Sequence, residues 1–156
     1  MKILVLFCCL ICPLLSFCQS PEYLEKKQKA LAEPSPFEKI ANEEEPRELE
    51  YEDDEIMVFK GLRSQAPVHF LIVPKRRIPT ANDLQEQDDL MIGKMVLVAQ
   101  KIAQRHGIAE SGYRLVFNTN EDAGQSVFHL HLHLLGGMKL GAMVDQTWRN
   151  EQEGKK

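Results

Sequence analysis

Three of the chain's five histidines, His129, His131 and His133, fall at alternate positions in Gln125-Ser126-Val127-Phe128-His129-Leu130-His131-Leu132-His133-Leu134-Leu135-Gly136-Gly137. A period of two is that of β-strand side chains. The spacing therefore predicts a strand with all three imidazoles on one face, neighbours roughly 6.5–7 Å apart. Phe128, Leu130, Leu132 and Leu134 take the other face and supply the apolar surface that buries it. A further histidine, His69, interrupts another apolar run, Val68-His69-Phe70-Leu71-Ile72-Val73.

Such a row admits three chemistries. Three imidazoles suit zinc. They can also carry out nucleophilic and acid–base steps, or pack in a core with their nitrogens satisfied by backbone carbonyls. Ligands at i, i+2 and i+4 of a straight strand spread over roughly 13 Å, whereas zinc–nitrogen bonds are about 2 Å long. A row fits divided labour better: one ring attacks, a neighbour handles the leaving group and a third orients the attacker. Phosphorus is the target that the preceding residues favour. Gly124-Gln125-Ser126 offers backbone N–H groups and a hydroxyl at the strand start, and oriented amides attract phosphate.

The elements that position this row are read as strands, one long helix, then strands, an α+β sheet. Leu49–Glu52 and Ile56–Phe59 flank Asp53-Asp54 as a hairpin, and Val68–Val73 is a strand stopped by Pro74. Lys75-Arg76-Arg77 reads as a solvated strand end, with phosphate attraction as the alternative. Met91, Met95, Val98 and Ile102 recur with helical period inside Gln87–Arg105, and Gly107 follows as the cap. His106 sits at that helix end, where it complements the dipole. Tyr113–Asn118 is a further strand, and Asn118–Gln125 a polar loop.

With 156 residues, 44% of them hydrophobic and 27% charged, the chain suits one domain with a real core. A net charge of −4 argues against nucleic acid as a partner, because phosphate backbones bind basic surfaces. Lys2 followed by the uncharged, mostly apolar run Ile3–Phe17 has the form of a secretory signal, and falls short of the about 20 residues of a membrane span. Cleavage after Cys18 removes all four cysteines, Cys8, Cys9, Cys12 and Cys18. The expected mature domain then has no disulfide, thiol nucleophile or thiolate ligand. The chain thus divides into a signal peptide at 1–18, a solvated linker or frayed helix at 19–36, a domain at 37–143 and a polar tail at 144–156. Its expected location is secreted or periplasmic. Lipid anchoring at Cys18 is the alternative, disfavoured by the bulk of Phe17. The acidic run Glu43–Glu50 reads as a solvated loop.

The stretch Gly124–Gly137 resembles the motif of the histidine triad family of nucleotide-binding hydrolases, closest to its nucleotide-binding branch, the purine nucleoside phosphoramidases. Tyr51-Glu52-Asp53-Asp54, Ser64–Lys75, Tyr113–Asn118 and Gly136–Met143 resemble the same branch, so that the likeness covers roughly Pro36–Met143. The resemblance implies a five-stranded antiparallel sheet with one long and one short helix, joined to a second copy in a ten-stranded homodimer. It implies hydrolysis of a purine nucleotide conjugate, a nucleoside 5′-phosphoramidate or related compound, without metal or other cofactor. His131 matches the nucleophile that becomes nucleotidylated, and His133 the residue that meets phosphate and leaving group. His129 and His69 match its supports. Ser126 would donate to phosphate or leaving amine, Gly124 and Gln125 would shape the phosphate loop, and Asn118 would meet the nucleotide. Leu62, Phe37, Ile40 and Phe59 would wall the base. Gly61 stands where relatives carry an acidic ribose ligand, leaving Asp53, Asp54 or a water to substitute. A secreted, non-catalytic nucleotide-binding or interaction module is the alternative function.

Overall fold

The computed structural model describes residues 19–61 and 63–142. The expected signal segment, the tail beyond 142 and Leu62 lie outside the described residues. The elements in chain order are helices α1 (Pro21–Leu31) and α2 (Pro36–Ala41), strands β1 (Tyr51–Glu52), β2 (Ile56–Lys60) and β3 (Val68–Pro74), helix α3 (Asp89–Arg105), and strands β4 (Tyr113–Val116) and β5 (Leu132–Gly136). The strands form one antiparallel sheet in the order β1-β2-β3-β5-β4.

The β1–β2 hairpin turns where expected. The Asp53 carboxylate accepts from the amides of Glu55 and Ile56, both at 2.8 Å, and closes the turn. Helix α3 starts two residues later than its apolar period indicates, because Glu86–Asp88 form a 3₁₀ turn. Its stripe of Met91, Met95, Val98 and Ile102 is buried as expected. That stripe packs on one face of the sheet, against Ile56, Val58, Phe70, Ile72, Leu130, Leu132 and Leu134. Alternate residues of the same strands, Met57, Phe59, Leu71 and Val73, point to the other face, where Phe37 and Ile40 of α2 cover them. Both faces of β2 and β3 are thus sealed, and each fully buried side chain contributes about 1.5–3 kcal/mol. This rigid centre carries the histidines.

Two expectations need correcting. The segment read as a solvated linker or frayed helix contains α1, and it is docked. Ser20 caps the helix, Pro21 opens it, and Tyr23 is buried. The histidine stretch is not one strand, since β5 starts only at Leu132. The register pairs Ile72 with Leu132. Continued two residues further, that register would set Leu130 against Pro74, which has no N–H for the Leu130 carbonyl. The Pro74 carbonyl accepts from Nε2 of His129 at 2.7 Å and the Leu130 amide donates to the Ile78 carbonyl at 2.6 Å, so the segment before β5 leaves the ladder.

Candidate active site

Only His133 lies within β5, opposite Leu71 of β3 and Val116 of β4. His131 directly precedes the strand, and His129 sits in the bend before it. The rings nevertheless converge. His131 and His133 have centroids 4.9 Å apart, and Phe37 of α2 meets His131 edge-on at 5.2 Å and His129 at 5.5 Å. His69, on β3, stacks on His133 at 5.3 Å.

The hydrogen bonds settle each tautomer. Nε2 of His129 donates to the Pro74 carbonyl at 2.7 Å, so Nδ1 is an acceptor, and it takes the hydroxyl proton of Ser35 at 2.7 Å. Nδ1 of His131 donates to the carbonyl of His129 at 2.8 Å, which leaves Nε2 of His131 with its lone pair free. The Gln65 amide donates to Nδ1 of His69 at 3.2 Å, so His69 carries its proton on Nε2 and gives it to Nδ1 of His133 at 3.0 Å. His133 is thereby protonated on Nε2, and this buried N–H has no partner among the described residues. Buried donors left unpaired are costly; a bound oxygen atom would satisfy this one. A free nucleophilic nitrogen thus lies beside an unspent donor.

Burial keeps all four rings neutral. It pushes His129 and His133 down to about 4, with the neighbouring rings adding to the effect at His133. It also lowers His131, against the pull of the His129 carbonyl, and His69, against that of the Arg63 carbonyl. A neutral imidazole is the form that attacks an electrophile or accepts a proton.

Ser35 and Arg77 are the site residues that sequence reasoning passed over. Ser35 is buried, caps α2 and forms a capping box with Glu38. The Ser35-Pro36-Phe37-Glu38 spacing is the signal that marks the cap; its second role depends on a histidine far along the chain. Arg77 donates to the carbonyls of Phe128 (3.0 Å), Glu33 (2.8 Å) and Ala30 (2.9 Å) and lies 3.3 Å from the Glu38 carboxylate. Lys75 pairs with Glu52 at 2.8 Å, and Arg76 with Asp88. Arg77 is committed to structure, which corrects its reading as part of a solvated strand end, whereas exposed Arg76 and partly exposed Lys75 follow β3 as expected.

The remaining predicted residues divide. Both ends of the Gln125 amide are used inside the loop, Nε2 donating to the carbonyls of Pro79 (2.7 Å) and Val127 (3.1 Å) and Oε1 accepting from the Asn120 amide (2.8 Å). Gln125 therefore shapes the loop. Gly124 holds its turn with φ of +70°, open to an L side chain only with strain. Ser126 is exposed, and Asn118 is half-buried just past β4. Phe37, Ile40 and Phe59 form one cluster below the histidines, but their exposures of 5%, 9% and 1% leave little free wall. Leu62 lies outside the described residues.

Gly61 is explained by His69. A Cβ built on Gly61 would stand 2.8 Å from Cε1 and Nδ1 of the His69 ring, closer than van der Waals contact allows. Asp53 is no replacement for a carboxylate there. Burial opposes its ionisation, but the Tyr51 hydroxyl, the turn amides and Lys94 hold it far below the usual carboxylate range and occupy it. His106 caps α3 with Nε2 3.3 Å from the Glu50 carboxylate, remote from the row in sequence and partner. Among the described residues no three His, Cys, Asp or Glu side chains are grouped to hold a metal ion.

An antiparallel five-stranded sheet thus brings together four neutral imidazoles whose protons are placed by their hydrogen bonds. Comparison with known proteins names the family. The model described as scavenger mRNA decapping enzyme C-terminal binding matches residues 34–144. A purine nucleoside phosphoramidase of Escherichia coli K12 is 47% identical over 114 residues, covering 73% of this chain and 96% of that protein. The crystal structure of a HIT family hydrolase from Legionella pneumophila superposes with a TM-score of 0.69 at 44% identity, covering 70% of this chain and 98% of that one. A HIT family hydrolase from Clostridium thermocellum also has a TM-score of 0.69, at 41% identity, with 72% and 98% covered. The chain belongs to the histidine triad (HIT) family.

Proposed function

We propose that the protein hydrolyses purine nucleoside 5′-phosphoramidates or related nucleotidyl conjugates through a nucleotide covalently held on His131. The observation that carries this reading is the state of His131: Nδ1 is tied to the His129 carbonyl at 2.8 Å, and burial keeps the ring neutral, with Nε2 free. The name of the 47% identical Escherichia coli relative supports the substrate class.

In the first step Nε2 of His131 attacks the phosphorus, the P–N bond breaks, and the nitrogen leaves as a neutral amine with a proton taken from solvent through the hydroxyl of exposed Ser126. His131 is left as a cationic nucleotidyl-imidazole that keeps its Nδ1 proton. The unspent Nε2–H of His133 donates to a phosphoryl oxygen as negative charge gathers there. In the second step water attacks the same phosphorus and gives up a proton to solvent, the His131–phosphorus bond breaks with its electron pair returning to Nε2, and the nucleoside monophosphate leaves with the imidazole neutral again. Attack and hydrolysis both need the fixed tautomers that the His129 carbonyl imposes on His131 and that Gln65, through His69, imposes on His133.

Homodimerisation is part of this reading. Strand β4 is an edge of the sheet, and Leu90, Val96 and Leu97 of α3 are exposed apolar residues; unpaired edges and apolar patches are what pairing covers. Export rests on the sequence of residues 1–18 alone.

The test is release of a fluorescent amine from an adenosine 5′-phosphoramidate, without added metal, by the wild-type chain and His131→Ala. Release by the wild type alone is the expected result. Equal release by both removes His131 as nucleophile. Nucleotide binding without release by the wild type favours a non-catalytic module. Light scattering on the eluting peak reads the dimer in the same preparation.

A further inference from the structure

We propose that helix α1 is a buttress of the catalytic loop, with Tyr23, the Ser20–Glu121 pair and Arg77 acting as positioning residues for Ser126 and His129; this rests on the hydrolase reading above. Residues 21–31 lie outside the 34–144 span that the family model matches.

The connection from β4 to β5 carries Asn118, Gly124, Gln125, Ser126 and His129 and has no regular structure before Leu132. It turns at two left-handed residues, Asn120 with φ of 63° and Gly124 with φ of 70°. A long irregular connection loses its conformational freedom only when something outside it holds it. Helix α1 holds it at both ends and the middle. The amide and hydroxyl of Ser20 donate to the two oxygens of Glu121 at 2.6 and 2.5 Å, a bidentate grip at the loop's outer turn. Lys27 donates to Asn120 Oδ1 at 3.2 Å and lies 5.8 Å from the centre of the Phe128 ring. Tyr23 packs edge-on against Phe128 at 5.5 Å, with its hydroxyl 3.4 Å from the Gln125 carbonyl.

Arg77 completes the link. The same guanidinium binds the Ala30 and Glu33 carbonyls at the end of α1 and the Phe128 carbonyl next to His129. Pro34, Ser35, Arg77 and Ser126 border one cavity of about 230 Å³ between the α1–α2 junction and the loop. A shift of α1 is thus a shift of Ser126 and of the segment that orients His129.

The full chain with Tyr23→Ala and Glu121→Ala together is compared with a Leu24→Ala/Lys26→Ala control on the exposed side of α1 and with Tyr23→Phe. Amide hydrogen exchange reads loop and core separately, and steady-state kinetics on the phosphoramidate read the site. In the undocked variant, exchange over residues 119–127 accelerates while α3 and β3 hold, and kcat at saturating substrate falls roughly tenfold to a hundredfold. The control stays near wild type, and Tyr23→Phe, which keeps the ring on Phe128 but loses the hydroxyl on the Gln125 carbonyl, falls between the control and the undocked variant. Unchanged kcat despite a loosened loop overturns the proposal, as does a loop whose exchange does not change. If the double variant fails to fold, Glu121→Ala alone carries the same comparison. If the wild type releases no amine, AMP affinity replaces kcat: weaker binding by the undocked variant supports the buttress, and equal binding overturns it. A wild type that neither hydrolyses nor binds AMP removes both readings together.

Discussion

The Ser35 hydroxyl stands 2.7 Å from Nδ1 of His129, across 94 residues of sequence. One oxygen caps α2 by accepting the Glu38 amide at 3.1 Å and donates its own proton to the imidazole. The main-chain carbonyl of His129 in turn holds Nδ1 of His131 at 2.8 Å. The cap of helix α2, which brings Phe37 over the row, and the tautomer of His129 are therefore set by the same atom.

Ser35→Ala separates these roles from simple packing. Loss of the cap is expected to cost about 1–2 kcal/mol of stability. The unpaired Nδ1 of His129 lets that ring turn, so kcat falls roughly tenfold. Ser35→Thr keeps a hydroxyl and restores most of both. Thermal melts and kinetics on the three proteins check this, and an unchanged kcat in Ser35→Ala removes the link to His129.

The relay from Gln65 through His69 to His133 predicts an asymmetric pair of substitutions. His69→Ala leaves Nδ1 of His133 without its donor, and turnover is expected to fall roughly tenfold to a hundredfold. His69→Gln still offers an amide N–H and retains more activity. Equal rates in the two variants would show that the donor, and hence the His133 tautomer, is immaterial.

At Gly61 any added carbon meets the His69 ring. Gly61→Ala is expected to displace that ring and lengthen its contact with His133, lowering kcat by roughly severalfold with little effect on the melting temperature. Imidazole NMR signals of His69 and His133 should move in the variant, and signals that stay put would mean the strand end yields instead.

Acid should act through the histidines before the carboxylates. His129 and His133 are pushed down to about 4 by burial, against about 6.5 in an unfolded chain. Between these values the unfolded chain holds more protons than the folded one, so stability falls as pH drops from about 6.5 to about 4. The melting temperature is expected to decline across that window, and less steeply in His133→Gln. A flat profile from pH 7 to 5 contradicts the burial argument. Amine release should hold level below pH 6.5 before failing, because burial lowers His131 as well.

Arg77→Met keeps the stem and removes four polar contacts at once. A loss of roughly 2–3 kcal/mol is expected, since the Phe128, Ala30 and Glu33 carbonyls and the Glu38 carboxylate lose a charged donor. Denaturant unfolding measures it. A variant within a few tenths of wild type would mean water replaces the guanidinium.

Patterns local in sequence announced the sheet, the long helix and the family. Alternation placed Leu130, Leu132 and Leu134 in the core, and the helical period did the same for Met91, Met95, Val98 and Ile102. These are properties of repeat and solvent, and neither needs a partner across the chain. What alternation could not reveal was where β5 starts. That depended on Pro74, a residue of another strand, which has no amide for Leu130. Nor could it assign a proton to any ring. The tautomers of His129, His131 and His133 follow from Ser35, Pro74, His129's own carbonyl and His69. The tertiary fold alone turned a polar N-terminal segment into docked α1, because Tyr23, Phe128 and Arg77 meet only after folding. Three spaced histidines were legible in the chain itself. Which nitrogen each ring leaves free was decided only in the folded chain, by the nearby His129 carbonyl for His131 and by Ser35, Pro74 and His69 from far along the sequence for the other two, since a proton's place on imidazole is set by what faces its other nitrogen.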